Sequence, residues 1–141
     1  MRLCVGIAIL AAGLVAAPPF GYAQGADIGK QEYLSKCASC HGRDAKGDGP
    51  VAASLRQKVP DLTVLAKNSG GVFPFARIYD VIDGRKAVAV HGWREMPVWG
   101  SDYLEERAEL LRENTTPEEL NSFARGRIVA LIGYIYTLQA K

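Results

Sequence analysis

Cys37-Ala38-Ser39-Cys40-His41 decides how the rest of this chain is read. Two thiols three residues apart, with a histidine directly after the second, form the attachment pattern of a c-type haem. The spacing follows from the chemistry. Two thiols must reach two vinyl groups on adjacent edges of one porphyrin and form thioether bonds. One helical turn between them brings both side chains to the same side, and the adjacent imidazole then serves the iron as proximal ligand.

Other readings of these five residues are weaker. A structural zinc site needs four ligands in tetrahedral array. Outside the motif only Cys4 and His91 remain, and Cys4 lies in a segment expected to be removed. A thioredoxin-like redox pair belongs in a βαβ setting, and no strand pattern flanks the motif. A structural disulfide between Cys37 and Cys40 would leave His41 without a purpose.

The N-terminus has the pattern of a secretion signal. Arg2 is the positive start, Leu3 to Ala17 an apolar run, Pro18 and Pro19 a helix break, and Gly21-Tyr22-Ala23 a small-residue cleavage site. The apolar run falls short of the about 20 residues that a membrane span needs. Cys4 precedes the run instead of following it, which argues against a lipoprotein. The expectation is a signal peptide over residues 1–23, removed on export, and one domain over 24–141. The formal charge of +2 falls when Arg2 leaves, and haem propionates would lower it further. No basic run argues for nucleic acid.

Helical periods dominate the remainder. Asp27 can cap a first helix that carries Gly29, Tyr33 and Leu34 into the motif. Pro74 reads as a first helical residue, with Phe75, Ile78, Tyr79 and Ile82 on one face and Gly84 as stop. Ser101 reads as the cap of a charged helix reaching Asn114, with Leu104, Ala108 and Leu111 inward and the Glu109–Arg112 pair outward. Thr116-Pro117-Glu118-Glu119 is a capping box. The apolar stripe that follows, Leu120, Ala124, Ile128, Leu131, Ile135 and Leu138, is spaced to be buried.

A sixth iron ligand separates an electron carrier from a haem that binds small molecules. Met96 is the sole thioether candidate outside the signal. Pro97 restrains the backbone beside it, and a soft thioether favours reduced iron, raising the potential. His91 is the competing ligand, and it reads equally as a loop residue near a propionate. Trp99, Trp93, Arg85, Lys86 and Arg94 are candidate propionate donors. Asp61-Leu62-Thr63 after Pro60 reads as the start of a short helical turn, with Leu62 and Leu65 against the ring edge.

With this motif the chain resembles the class I cytochrome c family of bacterial monohaem cytochromes. Met96-Pro97 followed by Trp99 resembles the family's distal-ligand segment. The resemblance implies an all-α cytochrome c fold, about four helices around one covalently attached haem c, with crossing N- and C-terminal helices. Gly29 and Tyr33 on the first helix, and Leu131 and Tyr134 on the last, stand where the family pattern places that crossing. It also implies that a proline carbonyl accepts the second N–H of the proximal histidine. Pro50 is the matching position, readable also as a plain turn proline, and the family pattern favours Trp99 among the propionate donors. Haem attachment in such proteins takes place outside the cytoplasmic membrane, so the signal and the motif both point to the periplasm.

The expected function is single-electron transfer by one haem with His41 and Met96 as axial ligands, exchanged with redox partner proteins by brief docking. No catalytic base, nucleophile or substrate pocket is legible, so an enzyme is not expected. The alternative is a haem-bearing subunit of a larger dehydrogenase, sulfur-oxidising or oxidase complex, docked at a membrane, with the helix from Ser101 as an interface. A free carrier would be a monomer.

Overall fold

The computed structural model describes residues 27–85, 96–111 and 115–140. All regular elements among them are helical, as the periodicity predicts. The expected signal segment, residues 1–23, and residues His91, Trp93, Arg94, Lys86 and Arg112 lie outside the described residues.

Helix α1, residues 27–41, changes winding twice. It is α-helical over 27–32, π-helical over Tyr33–Cys37 and α-helical again over Ala38–His41. The wide turn closes where the Ala38 N–H donates to the Tyr33 carbonyl, five residues back. Asp27, expected as the cap, is already helical. Single 3₁₀ turns follow at Ala52–Ser54 and Leu62–Val64, the second running into α2, Leu65–Asn68. Helices α3 (Phe75–Asp83), α4 (Trp99–Leu111) and α5 (Pro117–Thr137) complete the described chain.

Helix α3 ends as expected, at Gly84 with φ 62°. Its start differs by one residue. Pro74 has a non-helical ψ of 63° and stands outside as the cap, its carbonyl accepting the Ile78 N–H at 3.1 Å. Ile82 is buried and Ile78 and Tyr79 pack on the core, but Phe75 is 45% exposed. Phe73 takes the core-facing place instead, its ring edge-on to Tyr136 at 5.1 Å.

Helix α4 begins two residues before Ser101. The Val98 carbonyl accepts the Ser101 and Asp102 N–H groups at 3.1 and 3.4 Å, so Ser101 lies inside the winding and does not cap it. Leu104 packs inward, whereas Ala108 is exposed. The face is decided by Tyr103, which is fully buried. At 100° per residue, Ala108 lies about 140° around the helix from it.

Helix α5 is capped by the reciprocal pair expected from the sequence. Thr116 N–H donates to Glu119 Oε2 at 2.9 Å and Glu119 N–H to Thr116 Oγ1 at 3.3 Å. These bonds hold the Glu119 carboxyl below the usual carboxylate range. Ala124, Ile128, Leu131 and Ile135 are buried, joined by Ile132. Helices α1 and α5 cross where a Cβ on Gly29 would fall onto the Ala130 carbonyl. The rings of Tyr33 and Tyr134 meet beside this contact at 5.4 Å.

Charge also joins the helices. Glu32 on α1 is 5% exposed. Its carboxylate accepts from the Tyr103 hydroxyl of α4 at 2.8 Å and from Arg127 Nη1 of α5 at 2.5 Å. Lys36, 3.7 Å from Glu32, reaches Glu106 at 3.2 Å. A buried carboxylate with such partners avoids the cost of an unpaired charge.

Candidate haem-binding site

The last turn of α1 delivers Cys37, Cys40 and His41 to one cleft. Two adjoining cavities, about 400 and 230 Å³, share Cys37, His41, Pro60 and Met96 in their walls. The larger is walled by Leu62, Leu65, Ile78, Val81, Ile82 and Ile135. The smaller adds Cys40, Leu55, Val59, Pro97 and Trp99. The walls are mainly apolar and span both sides of the described chain, from the first helix to the last.

Both thiols are free. Cys37 is 7% exposed, and burial, with Glu32 nearby, pushes its thiol up to about 12. Burial lowers the His41 pKa, against the opposing effect of the Pro60 carbonyl. That favours a neutral imidazole, the form a metal needs. His41 Nδ1 lies 3.3 Å from the Pro60 carbonyl. A carbonyl can only accept, so Nδ1 carries the proton and Nε2 keeps its lone pair for a ligand.

The carbonyl at His41 therefore belongs to Pro60, not Pro50. The reason is local. After the motif, Gly47, Gly49 and Val51 N–H groups donate back to the His41, Cys40 and Ser39 carbonyls at 2.8, 3.1 and 3.1 Å. These bonds satisfy the open end of α1 and keep Pro50 exposed among them. The chain reaches the imidazole only at Pro60, steadied by Asp61. Asp61 Oδ1 accepts from Thr63 N–H at 2.8 Å and Thr63 Oγ1 at 2.6 Å, which lowers the Asp61 pKa. The readable signal for Pro60 was its place directly before this capped turn.

Met96 enters from the segment preceding α4, partly buried against the core and lining both cavities with His41. Trp99, in the first turn of α4, lines the smaller cavity. Arg85 is directed elsewhere. Its guanidinium binds Asp83 at 2.7 Å and Asn121 at 2.7 Å, so it does not serve the cleft. The sequence reading missed Lys36 and Arg77, which stand at the smaller and larger cavity respectively.

Two free thiols one turn apart, a neutral imidazole and a thioether in one apolar cleft fit a flat iron porphyrin. On an all-helical frame with crossing terminal helices, that donor set defines a c-type cytochrome. Residues 24–113 match the family described as cytochrome C oxidase, cbb3-type, subunit III, and the chain belongs to that family. No curated protein and no solved structure matches it. Proteins with a cytochrome c domain carry electrons by haem, with redox partners or within a complex.

Proposed function

We propose that this protein is an exported carrier of single electrons that works with one haem c. The observation that carries the reading is that His41 and Met96 wall the same cleft as Cys37 and Cys40. Bound haem supplies an iron that changes charge by one electron. The chain's part is to hold it. Cys37 and Cys40 would hold it covalently, as thioethers. His41 presents Nε2, its ring fixed through Nδ1 and Pro60. Met96, which lines both cavities with His41, would serve as the second protein ligand and leave no site for small molecules. The apolar walls exclude water, which limits reorganisation when the charge changes. Residues 1–23 act as the export signal, and the match to the family begins next to the expected cut. The working place is the periplasm.

Optical spectra of both oxidation states test the site. The reduced protein should show a c-type α-band that survives acid–acetone extraction. The oxidised protein should show the far-red methionine-to-iron charge-transfer band. Extractable haem would sink covalent attachment, and absence of the far-red band would sink Met96 ligation.

The family's description, a subunit of an oxidase, favours a second reading in which the chain is the haem-bearing part of a larger complex. Size-exclusion of native protein from a periplasmic extract separates the two. Elution near monomer mass supports the free carrier, and a large assembly supports the subunit.

A further inference from the structure

The segment that carries Met96 leaves α3 after Asp83, past Gly84 and Arg85, and enters α4 at Trp99. Its two ends meet. A Cβ on Gly100 would lie 2.5 Å from the Asp83 carbonyl oxygen, 2.5 Å from Asp83 Oδ1 and 2.8 Å from Arg85 Nε. Gly100 is thus the one residue type that lets the first turn of α4 seat on this pair. Asp83 is only 6% exposed. Its Oδ1 accepts from Arg85 Nε at 2.8 Å and lies 2.7 Å from Nη2. Arg85 Nη1 then donates to Asn121 Oδ1 at 2.7 Å, and Asn121 Nδ2 donates to the Pro117 carbonyl at 2.8 Å. The end of α3, the start of α4 and the first turns of α5 are fastened at one point.

We propose that Asp83, Arg85 and Gly100 are positioning residues that hold Met96 on the iron by clasping both ends of its segment. The inference rests on the ligation of Met96 proposed above. A segment whose ends are fixed has already lost its closure entropy. Unfastening one end restores that freedom and increases the fraction of time Met96 spends away. A competing ligand binds only in that fraction, so its apparent affinity reports it directly. None of the three residues lines the cleft, so they act only through the segment.

The test is imidazole titration of the oxidised holoprotein, with Asp83→Asn, Gly100→Ala and, as a control, Arg127→Met. The control disturbs a different buried ion pair, at Glu32, and urea unfolding measures how far each variant is destabilised. Imidazole binding should tighten about tenfold in Asp83→Asn and Gly100→Ala as the Met-off fraction rises tenfold. The far-red band should weaken in parallel, while Arg127→Met binds imidazole as the wild type does. Unchanged imidazole binding in both clasp variants overturns the inference and leaves ligation standing. So does tightening that merely tracks lost stability in all three. If the wild-type protein lacks the far-red band, the ligation reading fails first, and the inference falls with it.

Discussion

At the scale of single residues, His41 shows how the fold readies an imidazole for the ligand role proposed for it. The Pro60 carbonyl fixes the protonated nitrogen, and burial keeps the ring neutral. Met96→Ala should abolish the far-red band, lower the potential and let the reduced protein bind carbon monoxide at neutral pH. Retention of the band in that variant would assign the sixth position to another residue. Tyr103 makes a second residue-scale prediction. Its hydroxyl bonds the buried Glu32 carboxylate, so Tyr103→Phe should cost about 1.5–3 kcal/mol in urea unfolding. Burial, and then the Glu32 bond, raise the Tyr103 pKa above the roughly 10 of an unfolded chain. The folded state thus holds this proton more tightly. Its stabilising effect is fully present below about pH 10 and is lost as pH rises through the folded value. The loss of stability above pH 10 should be shallower in Tyr103→Phe than in the wild type.

At the scale of elements, the two crossing helices carry the sharpest sequence signals. Gly29 has no room for a side chain against Ala130, so Gly29→Val should destabilise by about 1–3 kcal/mol through overpacking. Thr116→Ala removes a cap that the sequence displayed openly and should cost about 1 kcal/mol. Thermal unfolding of the holoprotein checks both. Helix α5 was legible in its cap and in most of its stripe because both are local patterns, while the buried Ile132 lies outside that stripe. Helix α4 was legible as a helix but not in its start or its face. Ser101 is a competent cap by type, yet the Val98 carbonyl claims its N–H. The face follows Tyr103, whose partner lies 71 residues away on α1. The same distinction separates the site residues. Cys37, Cys40, His41 and Met96 announce themselves by spacing and scarcity. Choosing Pro60 over Pro50 needed knowledge of how α1's open carbonyls are satisfied, and the clasp at Asp83 depends on helices meeting.

At the scale of the whole molecule, the cleft is a gap in the core. Cys37, Ile82 and Ile135 belong both to the buried cluster and to its walls. A domain of this size buries a smaller share of its surface than a larger one, so an apolar cofactor in this gap would add to the interior. Haem-free protein should therefore show reduced far-UV helicity and bind a hydrophobic dye such as ANS. A compact haem-free chain with native helicity and no dye binding would show that the polypeptide closes the gap alone. The π-helical stretch Tyr33–Cys37 has its consequence here too. One end of α1 answers to α5 through Gly29, while the other turns Cys37, Cys40 and His41 into the cleft. Wound as an ordinary α-helix, the same residues would carry the second set about 100° further round the axis. The wide turn works as a phase adapter, letting one rod satisfy two neighbours whose demands do not share a period.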